Sequence, residues 1–184
     1  SQLLHDTPWA INTIGVVKPC IDEGDSGSVA AAIEVNALFP HRLAAAAAQV
    51  DCRVLQIATD CVYTCGPDGA GGFYEDALHN PTDVYGKTKS LGEVGGAHVT
   101  HLRYTIAGPE IGPGRSLLAW FLRQDAVKGY THHRCNGGTT LSFAKLCGGI
   151  IESGLVLPHK LHVLPEDVVT KCEVLQCFSD YYRA

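Results

Sequence analysis

A tyrosine and a lysine four positions apart stand in the run Tyr85-Gly86-Lys87-Thr88-Lys89. Residues four apart share one face of a helix, so the phenol and the ammonium project together. A phenol, with an ordinary pKa of ~10, gives up its proton sluggishly at neutral pH, and a nearby cation lowers that value. Upstream, Ala58-Thr59-Asp60-Cys61-Val62-Tyr63 reads as the end of a buried strand that carries a hydroxyl on Thr59. A hydroxyl holding a carbonyl oxygen beside such a tyrosine makes a general acid for reducing a ketone, or a base for oxidising an alcohol. No side chain supplies hydride, so the chemistry calls for a redox cofactor. A lone Tyr–Lys pair more often lies on a solvated helix face. Here its context counts: Thr59 lies 26 positions before Tyr85, a Gly-rich stretch lies between them, and Pro81-Thr82-Asp83-Val84 opens the helix.

The elements that must position these groups follow from apolar patterning. Residues 8–16 form an apolar run, expected as a buried strand with a functional loop after it. Residues 28–50 are alanine-rich with helical spacing, a long helix kinked or jointed at Pro40. A short strand is expected at 53–58, a turn-rich loop at 66–72, and the Tyr85 helix over 81–95, ended by Gly95-Gly96. A strand at 99–104, a Gly/Pro loop at 108–114 and an amphipathic helix at 116–124 come next. Thr139, Thr140 or Ser142 caps a helix running to about 153. A strand at 161–164 and a C-terminal helix over 165–184, with Asp167 near its start, complete the chain. Short apolar strands alternating with helices predict parallel βαβ units.

Composition narrows the partners. The 184 residues carry a net charge of −5, and no Lys/Arg cluster stands out. Neither nucleic acid nor an anionic membrane is an expected partner. No apolar run reaches the ~18 residues of a membrane span. The first residues, Ser1-Gln2-Leu3-Leu4-His5-Asp6, lack the basic and apolar regions of a signal peptide, so a cytoplasmic location is expected. The eight cysteines are Cys20, Cys52, Cys61, Cys65, Cys135, Cys147, Cys172 and Cys177. They read as reduced, mostly buried thiols in a chain large enough to fold without staples. No CxxC occurs and no metal site is expected; His132-His133 and Cys135 read as loop residues.

Several runs together resemble extended short-chain dehydrogenases/reductases. They are residues 57–63, Asn80 through Lys89, Leu102-Arg103 followed by Gly108-Pro109-Glu110, Gly129-Tyr130-Thr131-His132, Asn136-Gly137-Gly138-Thr139-Thr140-Leu141, and Ile11-Asn12-Thr13-Ile14-Gly15. The nearest branch is similar to dTDP-4-dehydrorhamnose reductase and its sugar-nucleotide-modifying relatives, and the resemblance covers about 6–182. It implies an α/β fold, a partial Rossmann-like, doubly wound parallel sheet with its N-terminal strands missing. It also implies two interleaved parts, 1–107 with the Thr/Tyr/Lys site and 108–184 as a small substrate-binding lobe. By resemblance Tyr85 is the acid/base, Lys89 binds the nicotinamide ribose and tunes Tyr85, and Thr59 orients the carbonyl. Asn12, Thr13, Ile14 and Gly15 line the cofactor at a strand's carboxyl end. Asp60, Thr105, Ile106 and Asn136 lie near nicotinamide or sugar. The implied cofactor is NADPH or NADH, and the implied substrate a 4-keto nucleotide sugar. A nucleotide-sugar epimerase or dehydratase is the nearest enzymatic alternative. Asp60 is followed by Cys61 rather than a glutamate, which favours reduction.

The chain departs from the family pattern in three places. The Gly-rich pyrophosphate turn that opens such folds is expected to be missing, which would weaken cofactor binding. Cys135 stands where relatives tend to have Trp, and Cys65 where a turn glycine is common. Without covering strands, residues 10–16 become an exposed apolar edge, so a homo-oligomer or a missing N-terminal fragment is the expected partner. In a dimer, the 28–50 and 81–95 helices would pack across a two-fold axis. A non-catalytic reading also follows, in which the chain binds a nucleotide sugar or a partner protein. Asp22, Glu23 and Asp25 read as a solvated acidic loop, Arg103 as half of a structural ion pair, and Trp120 with Phe121 as a packed helix face. Asn36 fits the site or a surface equally well.

Overall fold

Parallel pairing of four strands builds the frame in the computed structural model, which describes residues 4–64, 72–112 and 114–182. The expected loop at 66–72, except its last residue, and the Cys65 position lie outside the described residues. Strands β1 (Trp9–Asn12), β2 (Arg53–Ala58), β3 (Val99–Arg103) and β7 (Lys160–His162) lie in the order β1-β2-β3-β7, all parallel. The register sets Asn12 beside Gln56, Ala58 beside Arg103, and Arg103 beside His162. Helices α1 (Ser26–Ile33) and α2 (Phe39–Ala48) connect β1 to β2, and α3 (Val84–Leu91) connects β2 to β3. Such crossovers are what parallel strands require. Strand β2 is interior, so its apolar run is buried on both faces. Val54 packs with Ala47, Cys52, Val94 and Val99 into a core cluster.

The long helix at 28–50 is a continuous path of three segments. Five residues, Glu34–Leu38, coil as a π-helix between α1 and α2. Pro40 has no N–H to give the carbonyl of Asn36, and a widened turn accommodates that loss. Strand β1 is shorter than its apolar run, ending at Asn12 because the Asn12 Oδ1 accepts from the Ile14 amide and turns the chain. Strand β1 sits at the sheet's edge with Ile11 43% exposed, where the apolar patterning alone suggests a buried strand. Helix α3 ends at Gly92 rather than at Gly95-Gly96.

The chain divides into two compact units, Ser1–Arg103 with Ile150–Val163, and Tyr104–Gly149 with Leu164–Ala184. The first unit includes residues 150–163 because β7 returns to pair with β3. The second unit contains α4 (Leu117–Leu122), a parallel pair β4 (Ile106–Ala107) with β6 (Gly138–Thr139), and an antiparallel pair β5 (Arg134–Cys135) with β8 (Val169–Thr170). Helix α5 (Thr140–Ser153) begins there, and α6 (Lys171–Tyr182) ends it. Helix α6 starts six residues later than its pattern suggests. Thr170 and Glu173 form a capping box: the Thr170 amide donates to Glu173 Oε2 at 2.6 Å, and the Glu173 amide to Thr170 Oγ1 at 3.2 Å. Phe121, buried, packs on Phe178 of α6 with ring centroids 5.8 Å apart. Among the described residues the cysteines are free thiols, no His/Cys/Asp/Glu cluster suits a metal, and no helix is long and apolar enough to cross a membrane.

Candidate active site

Strand β2 ends at Ala58, and the next residue, Thr59, turns the chain. Its side-chain oxygen accepts from the Cys61 amide at 3.2 Å, capping a 3-10 turn over Asp60–Val62, and its hydroxyl donates to Asp60 Oδ1 at 3.3 Å. Helix α3 presses its first turn against this turn. A Cβ on Gly86 would sit 2.5 Å from the Cys61 carbonyl oxygen and 2.6 Å from Pro81 Cβ, so only glycine permits the approach. That contact sets Tyr85 beside Thr59.

Helix α3 is held from three sides. Asp83 caps it, with Oδ1 accepting from the Gly86 amide at 2.7 Å, while Lys18 donates to the other oxygen at 2.7 Å. Those two interactions, the backbone bond first, hold the Asp83 carboxyl below the usual carboxylate range. Glu23 Oε1 accepts from the Val84 amide at 2.9 Å. Glu23 is therefore a helix cap reached from the loop after β1, whereas the sequence suggests only a solvated acid. Its neighbours stay local: Asp25 caps α1, and Asp22 accepts from the Gly24 amide.

The third hold is Asn36, whose role the sequence leaves open. Its side chain is buried. Its amide oxygen accepts from the Val16 amide at 2.8 Å, and its Nδ2 donates to the Val16 carbonyl at 2.9 Å and to Thr88 Oγ1 at 3.2 Å. Thr88 in turn donates to the Tyr85 carbonyl. Asn36 thus ties the loop after β1 to the helix of Tyr85. Gly92 closes on the Asn36 backbone, where a Cβ would stand 2.0 Å from the carbonyl oxygen. The widened helical turn and the end of α3 are in this way one contact.

Burial pushes the Tyr85 phenol up to about 12, with Cys61, Asp60 and Asp83 adding to the rise and the Thr59 hydroxyl opposing it. Lys89, expected to lower Tyr85, is turned to the strand. Lys89 Nζ donates to the Ile57 carbonyl at 3.1 Å, at the carboxyl end of β2, and burial lowers its own pKa against the pull of Glu93. At neutral pH Tyr85 is a neutral phenol, and the Lys89 side chain spends one donor on the strand.

Of the other expected site residues, Asn12 is buried and structural in its contacts, its Nδ2 donating to Gln56 Oε1 at 2.7 Å. Thr13, Ile14 and Gly15 form the exposed loop after β1. Thr105, Ile106 and Asn136 belong to the second unit. There Ile106 pairs with Gly138, and the Gly138 amide donates to the Thr105 carbonyl at 2.9 Å, with Asn136 two residues before β6. Arg103 is the expected ion-pair partner: its Nε and Nη2 clasp both Glu93 carboxylate oxygens at 2.7 Å.

A parallel α/β sheet with a Thr, a Tyr and a Lys near the carboxyl end of an interior strand is a Rossmann-like arrangement. Residues 21–104 match the family model described as RmlD substrate binding domain. No curated protein sequence matches the chain. A dTDP-4-dehydrorhamnose reductase from Clostridium acetobutylicum has the same fold, at TM-score 0.76 and 20% identity over 97% of this chain and 64% of its own. The Bacillus anthracis dTDP-4-dehydrorhamnose reductase, solved with NADP, aligns at 0.78 and 17% over 99% and 65%. A UDP-glucuronic acid 4-epimerase from Bacillus cereus, solved with NAD, aligns at 0.77 and 16% over 100% and 61%. The chain spans less than two thirds of the length of each. At these identities the likeness establishes the fold.

Proposed function

We propose that this chain carries the catalytic half of an NAD(P)-dependent oxidoreductase acting on the 4-keto group of a nucleotide sugar, of the dTDP-4-dehydrorhamnose reductase type. The observation that carries the reading is the pairing of Thr59 with a Tyr85 kept neutral at the carboxyl end of β2. Tyr85 donates its proton to the carbonyl oxygen, and Thr59 holds that oxygen in reach. Asp60 and Cys61 wall the substrate side. The residues present fit the nicotinamide–ribose end of the cofactor: Lys89 offers an ammonium at the strand's end, and Thr13, Ile14 and Gly15 an exposed loop anchored by Asn36. A bound nicotinamide supplies the hydride. The first relatives' names support a keto-sugar substrate, and the epimerase supports a UDP-sugar alternative.

Titration of the folded chain with NADPH and NADH, followed by cofactor fluorescence alongside circular dichroism, tests the reading. Saturable micromolar binding, with turnover of a dTDP-4-keto-sugar, bears it out. Interconversion of UDP-sugars without net cofactor oxidation moves it to epimerisation. A folded chain that binds neither cofactor overturns it for this chain and leaves a binding or partner-interaction role.

A further inference from the structure

We propose that His79 and His162 form an acid-sensitive latch: while both rings are neutral they accept from Arg103 and clasp residues 73–80 and the end of α3 to β3 and β7, and on protonation they release that segment. The latch stands on the Arg103 cluster alone and holds whether or not the Tyr85 site turns over substrate.

The Arg103 side chain is 1% exposed and that of Glu93 3%. Beyond Glu93, Arg103 Nη2 reaches His79 Nε2 at 2.8 Å. Its Nη1 reaches Tyr63 OH at 2.6 Å, His162 Nε2 at 2.9 Å and the Glu75 carbonyl at 3.1 Å. A guanidinium only donates and stays charged, so the Nε2 of each ring is the acceptor and each ring carries its proton on Nδ1. His79 Nδ1 then donates to Ser90 Oγ at 2.7 Å, which reaches the last turn of α3. Glu75 Oε1 accepts from the His162 amide at 3.0 Å, which ties the same segment to β7.

Residues 73–80 are otherwise held near their ends: the Tyr63 hydroxyl donates to the Tyr74 carbonyl at 3.2 Å, and Thr64 donates from its amide to Asn80 Oδ1 at 2.8 Å and from its hydroxyl to the Asn80 carbonyl at 3.4 Å. Tyr74 is 80% exposed and Leu78 90%. Phe73 stacks on Tyr63, and the Asn80 amide donates to the Val62 carbonyl. A proton on either Nε2 would set N–H against N–H at under 3 Å. The charged and titratable groups facing the rings are Arg103 of β3, Glu93 after α3, Lys160 of β7, whose Nζ is 3.8 Å from Glu93, and Tyr63, Glu75 and Asp60. Burial first, and then Arg103, hold His162 below its ordinary value; burial and Arg103 do the same to His79 against the pull of Glu93. The open form therefore binds more protons, and opening is favoured as pH falls below the ordinary histidine value of ~6.5.

Hydrogen exchange of the full chain at pH 7.5 and 5.5, expressed as protection over intrinsic rates, tests the latch. Peptides spanning 72–82 should lose at least tenfold in protection at pH 5.5 relative to β2 and β3. The double variant His79→Gln, His162→Gln keeps an amide oxygen for Arg103 at both pH values and should change less than threefold. Unchanged wild-type protection, or an equal loss in the double variant, overturns the proposal. If the double variant does not fold, NMR titration of the two wild-type rings decides. Midpoints below 6.5 that coincide with opening support the latch, and midpoints at or above 6.5, or rings that titrate without opening, overturn it.

Discussion

His101 gives the fold a measurable acid weakness. It is fully buried on β3, and its Nε2–H donates to the Val94 carbonyl at 2.9 Å. Its Nδ1 is buried with no hydrogen-bond partner, so it is a bare lone pair with nothing to receive a proton's hydrogen bond. Burial dominates, with His159 and Arg103 adding to it against Val94 and Glu93, and pushes the ring down to about 4. The folded value lies below the unfolded one, so the unfolded chain binds more protons. The stability contributed by the neutral ring is complete above ~6.5 and is lost as pH falls toward 4. At about 1.4 kcal/mol per pH unit the full loss is about 3 kcal/mol, of which about 2 kcal/mol has gone by pH 5. His101→Gln keeps an amide N–H for Val94 and does not titrate. Urea unfolding of both proteins between pH 7.5 and 4.5, in a Trp120→Phe background so that Trp9 alone reports the first unit, isolates the difference. The wild type should lose about 2 kcal/mol more than the variant between pH 7 and pH 5. Parallel curves within about 0.5 kcal/mol, or an NMR midpoint for His101 above 6, would refute the reasoning.

Three substitutions probe the site. Tyr85→Phe should lower turnover of a keto-sugar by about 10²–10⁴-fold while leaving cofactor affinity within a factor of a few, as read by steady-state kinetics and fluorescence titration. Gly86→Ala places a methyl 2.5 Å from the Cys61 carbonyl and should cost about 1–3 kcal/mol, measured by thermal melting, as α3 moves off the Thr59 turn. Asn36→Ala removes both bonds to Val16 and leaves a partly buried amide unpaired, and should cost about 1–3 kcal/mol. Exchange at the Val16 amide should then accelerate before exchange in β2.

The legible parts of the fold are those that short-range rules decide. Strand β2 and the face shared by Tyr85 and Lys89 follow from apolar run and helical period. An arginine in an apolar strand must be paired, and Arg103 is. The remaining contacts depend on partners far along the chain. Pro40 announces a disturbed helix, but nothing local says that the freed Asn36 backbone closes on Gly92, 56 positions away. Glu23 looks like loop charge until Val84, 61 residues on, supplies its donor. The start of α6 lies at a local signal: Thr170-Lys171-Cys172-Glu173 has the spacing of a capping box, and it outweighs Asp167 because both its bonds close on backbone amides.

The raised phenol bears on the direction of the proposed chemistry. At about 12 the Tyr85 hydroxyl is protonated about 10⁵-fold over its anion at neutral pH, so it begins as an acid and needs no help to hold its proton. The difficulty comes after transfer, when a phenolate stands in a buried pocket beside Asp60, Cys61 and Asp83. The Thr59 hydroxyl meets that charge, while Lys89 is drawn to the Ile57 carbonyl. A bound ribose that draws Lys89 off the strand would put its ammonium where the anion forms. On the proposed function, the tyrosine would be tuned by the lysine only with the ribose bound, and the burial that protects the phenol would slow proton donation until then.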